Sequence, residues 1–194
     1  NSSYARVLLT GATASTADIS VDQATTVSII DIDGGADYRL TGQGGSASLD
    51  LQQNFEDASE INVTAGDHVF DIPVNVGGNM DIAISSGASL SLDDTFVFHG
   101  KTVTKKGDGA LNINDNTNSG FGTLRLDDGM LGGSGDINGD LVASAGMIAP
   151  GESVGTLDIQ GYLTIDSGAT LQIEIGGPAS HDQLFVGYDT NLAG

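Results

Sequence analysis

The chain has 194 residues, 26 acidic and six basic, for a formal charge of −20. Such a field repels polyanions and argues against partners such as nucleic-acid phosphate or an anionic membrane face, and no stretch approaches the roughly 18 apolar residues of a membrane-spanning helix. Twenty-nine glycines disfavour a helical bundle, and the absence of cysteine removes disulfide and thiol chemistry.

From the N-terminus onward the sequence reads as short segments of alternating apolar and polar residues. They begin at Ile19-Ser20-Val21, Val27-Ser28-Ile29, Leu49-Asp50-Leu51, Ile61-Asn62-Val63, Val74-Asn75-Val76 and Met80 to Ile84. They continue at Leu90-Ser91-Leu92, Leu111-Asn112-Ile113, Leu124-Arg125-Leu126, Leu157-Asp158-Ile159, Leu163-Thr164-Ile165 and Leu171 to Ile175. A period of two in runs of three to five residues marks half-buried strands. Breaks such as Asp33-Gly34-Gly35, Ser86-Gly87, Asp128-Gly129 and Ser167-Gly168 separate them. Only Asn54 to Ser59 suits a helical turn, and no window carries a stripe with helical period.

Strands this short and this regularly spaced belong to a sandwich, a propeller or a solenoid. The breaks between neighbouring strands mostly lack the Asn-Gly hairpin signal, and aromatic residues make up only 5% of the chain, so small aliphatics must fill the interior. That composition points to an all-β solenoid. At roughly 20 to 25 residues per coil, the chain makes about eight or nine coils in one domain spanning residues 1–194. The expected inner ladders include Ile61, Val63, Ile82, Ile84, Leu90, Leu92, Leu111, Ile113, Leu124, Leu126, Leu157, Ile159, Leu163, Ile165, Leu171 and Ile173. The acids divide into 22 Asp and four Glu, which suits side chains that bond back to turn backbone rather than helix formers.

Lys105-Lys106-Gly107-Asp108-Gly109-Ala110-Leu111-Asn112-Ile113, followed by Asn116 to Gly120 and by Gly122 to Leu131, resembles the autotransporter-associated β-strand repeat. Ile148 to Leu157, Leu171 to Ile175 and His181 to Leu184 are similar to the stretch downstream of that repeat, so the specific resemblance covers residues 100–190. It implies a single-stranded, right-handed parallel β-helix from an exported bacterial surface or secreted protein. It also implies structural rather than chemical roles for Gly107, Gly109, Leu111, Gly151, Gly155 and Leu157. No signal peptide opens the sequence, so an exported parent would carry its leader elsewhere.

Several residues formally match chemical motifs. Gly151-Glu152-Ser153-Val154-Gly155 fits a hydrolase nucleophile pattern, with Asp158, Asp166 and His181 as nominal partners, but that pattern needs a strand-to-helix turn and strand text follows here. His68, His99 and His181 lie too far apart for a local metal motif. Asp31, Asp33 and Asp37 form the densest acidic stretch and make calcium the best ionic candidate, although the EF-hand ligand order is absent. A polysaccharide lyase would need a basic group at a groove. Of the six bases, Arg6, Arg39, Lys101, Lys105, Lys106 and Arg125, only residues 101 to 106 cluster, in or beside the repeat motif.

The expectation is therefore a non-enzymatic structural or adhesive scaffold that requires no cofactor and is located outside the cell or on the bacterial surface. Its partners would be host or matrix glycans or proteins, or copies of itself joined through open helix ends. The alternatives are a head-to-tail fibre subunit and a polysaccharide-binding or polysaccharide-degrading β-helix.

Overall fold

The computed structural model describes residues 5–11, 15–52, 58–114, 120–151, 153–178 and 180–193, and all regular structure among them is β. Every described ladder is parallel except one short ribbon, Ile175–Gly177 against Ser180–His181. Parallel neighbours cannot be joined by a tight hairpin, so each strand pairs with the one a whole turn later. The result is a β-solenoid of about seven turns, slightly below the eight or nine expected. Ile30 and its ladder partner Ile61 lie 31 residues apart (61 − 30), longer than the assumed coil. Thr190–Leu192 also opens a final turn with no further described strand.

Three faces stack in register. On the first face the inner column runs Val7, Ile30, Ile61, Ile82, Lys105, Leu126, Ala143, Ile165, Leu192. The second face carries Ile19, Leu40, Phe70, Leu92, Ile113 in one inner column. A second column on that face carries His68, Leu90, Leu111, Leu131, Ile148, Leu171. The third face holds Thr25, Leu49, Val74, Phe96 in its early turns and Ile137, Ile159, Val186 in its late ones. Alternation sends every second side chain inward, and one continuous core cluster extends from Val27 to Ile165. Each fully covered Leu or Ile contributes roughly 1.5–3 kcal/mol.

Fourteen of the 16 residues expected in the inner ladders are buried; the other two, Leu171 and Ile173, are 40% and 39% exposed. Leu171 is in register with Ile148, but the strand Leu163–Leu171 ends there and no described strand covers it. Ile173 lies beyond that strand, in the segment leading into the antiparallel ribbon. The helical turn at Asn54 falls largely on residues 53–57, outside the described residues.

The abundance of short acids and amides has a direct use. Asp37 Oδ1 accepts the Asp67 N–H at 2.9 Å, Asn79 Oδ1 that of Thr102 at 3.1 Å, Asn114 Oδ1 that of Ser134 at 3.1 Å, and Asp140 Oδ1 that of Tyr162 at 2.9 Å. Each donor lies about one turn further along, so these side chains staple successive corners, as the Asp-over-Glu bias suggests.

Leu111 and Leu171 occupy one column but differ in cover. Leu111→Ala should cost about 2–5 kcal/mol and Leu171→Ala about 1 kcal/mol or less, read as shifts in denaturant midpoint; equal losses would contradict this packing.

Candidate functional site: a buried lysine corner

The strand Thr102–Lys106 alternates Val103 inward, Thr104 outward and Lys105 inward, so the first lysine of the Lys-x-Gly-x-Gly stretch is buried in an aliphatic column. It stands between Ile82 below and Leu126 above, with no exposed surface. A charge in that position requires hydrogen-bond partners. Lys105 Nζ finds them at the corner, donating to the carbonyls of Lys106 at 2.9 Å, Gly107 at 2.5 Å and Asp128 at 3.3 Å. Two of these close its own turn and the third belongs to the next, so one ammonium clasps two turns.

The corner tolerates no side chains at its glycines. Gly107 has φ +73° and a Cβ there would meet the Ile84 backbone oxygen at 2.5 Å. Gly129, directly above with φ +71°, would bring a Cβ to 2.8 Å from Lys105 Nζ. Both positions lie in the left-handed region that favours glycine. Burial lowers the Lys105 ammonium from 10.5 to about 8, against the opposing pull of the Asp128 and then the Asp108 carboxylates.

The remaining sequence candidates are dispersed. Ser153 stands in a bend followed by the strand Thr156–Ile159, so no strand-to-helix nucleophile turn forms. Asp158 is in register with Asp136, Asp166 lies in Leu163–Leu171, and His181 pairs with Ile175 in the antiparallel ribbon. His68 is a core residue whose Nδ1 accepts the Tyr38 N–H at 3.0 Å while Nε2 donates to the Ala65 carbonyl at 2.7 Å, which specifies a neutral tautomer. His99 is exposed in a turn at φ 50°.

The acidic stretch is likewise divided among neighbours. Asp31 takes Arg6 and Asn62 Nδ2, Asp33 takes the Thr64 hydroxyl, and Asp37 takes the Asp67 N–H. Among the described residues no group of three or more His, Asp or Glu side chains is placed to hold a metal ion. The other bases of the 101–106 cluster do not join Lys105: Lys106 pairs outward with Asp81 at 2.7 Å, and Lys101 lies ahead of the strand.

The sequence alone does not show the lysine clasp, although strict alternation from Val103 turns Lys105 inward. A stacked pair, Tyr162 and Tyr188 with ring centroids 5.1 Å apart, carries no local sequence signal; their separation of 26 residues (188 − 162) is close to one turn. No protein-family model, curated protein or solved structure matches the chain.

The lowered lysine has a defined consequence for stability. Between about 8 and 10.5 the unfolded chain holds a proton that the folded chain has released, so the Lys105 contribution to stability rises with pH across that window. At ~1.4 kcal/mol per unit, the gain approaches about 3 kcal/mol. Denaturant midpoints of the wild type and Lys105→Met across this range should diverge in favour of the wild type; a flat or falling difference would contradict the buried ammonium.

Proposed function

We propose that this chain is part of a non-enzymatic structural or adhesive β-solenoid of a bacterial surface or secreted protein, acting outside the cell as a stiff acidic scaffold. The observation that carries this reading is the use made of the polar side chains. Acids and amides that an enzyme would turn toward a substrate here join one turn to the next, through the four corner staples and through pairs such as Arg39 with Asp71 at 2.5 Å and Lys106 with Asp81 at 2.7 Å. The buried Lys105 is spent in the same way. Stacked turns that clasp their neighbours give reach and stiffness. The resemblance of residues 100–190 to the autotransporter-associated repeat supports a surface setting, and matrix or host glycans and proteins are the partners this role calls for. No resident cofactor is needed, and calcium would act as a counter-ion to the acidic sides.

The immobilised chain, challenged with matrix glycoproteins and a panel of polysaccharides, should retain partners without releasing cleaved product. Turnover of any polysaccharide would overturn the scaffold reading in favour of an enzyme, and filaments in electron micrographs of the purified chain would replace it with a fibre subunit. Because 26 acids face only six bases, self-repulsion opposes folding, and the thermal midpoint should rise as sodium chloride goes from about 10 to about 150 mM. A midpoint that falls would show that exposed ion pairs outweigh the repulsion.

A further inference from the structure

The second face carries a cleft of about 300 Å³ on its outer surface. Ala110, Asn112, Met130 and Ala149 are among the strand residues that line it, with the exposed Gln172 and Glu174 at its rim and Asp182 buried beside Glu174. Through the ladders, the lining spans five successive turns, from Ser89 to Gln172. At ~4.8 Å per turn, that is about 19 Å along the axis, enough for an extended chain. The rim is built rather than incidental. Asp182 is only 4% exposed, and its two oxygens accept the Gly155 N–H at 3.0 Å and the Glu174 N–H at 2.6 Å, fixing the base of the ribbon Ile175–Gly177/Ser180–His181 beside the cleft.

We propose that this cleft binds a linear neutral or amino-sugar glycan lying along the solenoid axis. The proposal rests on the adhesive side of the function given above and names its ligand class. The Ala110, Met130 and Ala149 side chains suit the C–H face of a sugar ring. The rim combines the Glu174 carboxylate, an acceptor, with the Gln172 amide, which donates and accepts, while the Asp182 oxygens are committed to the backbone. Hydroxyl groups, which both donate and accept, satisfy such a mixed rim. Both charged groups on the lining are acidic, so uronates, sulfated chains and phosphates are repelled. A small ligand in an open cleft of this size depends on few contacts, so losing one side chain should be readily measured.

The test is calorimetric titration of the intact chain with cello-, xylo- and chito-oligosaccharides, together with a polyuronate and oligolysine. Saturable binding of at least one neutral or amino-sugar probe is expected, weakened at least tenfold by Ala149→Phe, which fills the cleft, and severalfold by Gln172→Ala, an exposed position whose variant folds even if the larger residue does not. Circular dichroism and thermal midpoints establish folding of each variant. Absence of saturable binding to every neutral and amino-sugar probe overturns the proposal, as does sugar binding indifferent to both substitutions, or oligolysine binding that Ala149→Phe abolishes while the sugars do not bind. Each of these failures leaves the scaffold reading standing, because that reading falls on turnover or filament formation instead.

Discussion

A single coil of this chain has no interior of its own; its inward side chains are removed from water only when the next coil lies over them. That vertical cover, repeated at the strand spacing of ~4.8 Å, is the constraint on which the rest of the structure depends. It explains why the inner columns are drawn from Val, Ile, Leu and a few Phe, why Leu131 is fully buried while Leu171, in the same column, is not, and why parallel pairing dominates. It also explains why Lys105 needs its corner cage. An inner position is covered whatever residue stands there, so a lysine among aliphatics must satisfy its ammonium internally or not fold.

The polar residues answer the same constraint from outside. A corner exposes backbone N–H groups that no strand ladder reaches, and Asp37, Asn79, Asn114 and Asp140 each reach about one turn along to accept one. The Asp side chain, shorter than Glu and with less conformational freedom to lose, suits that geometry, in keeping with 22 Asp against four Glu. Part of the −20 charge is thus a by-product of corner construction, and it also bears on solubility and on the choice of ligand.

Much of the architecture was legible because alternation is local: Leu90-Ser91-Leu92 or Leu157-Asp158-Ile159 declares its inward face within three residues. What escaped depends on distances of about one turn. Alternation cannot say which rung is the last to be covered, so Leu171 and Ile173 read as inner residues although they are exposed. The exchange of a solenoid strand for an antiparallel ribbon at Ile175 needs knowledge of where Ser180–His181 returns. The burial of His68 depends on Tyr38, which lies 30 residues earlier and becomes its neighbour only when the chain closes a turn. The cleft is less visible still, since Ala110, Met130, Ala149 and Gln172 come from four different turns.

If vertical cover holds the molecule together, amide hydrogen exchange on the 194-residue chain should report it turn by turn. Ser59–Val63, Met80–Ile84 and Gly122–Leu126, with turns on both sides, should exchange most slowly. Ala5–Thr10 and Thr190–Leu192 should exchange fastest. Uniform protection, or faster exchange in the central turns than at these outer strands, would contradict the account.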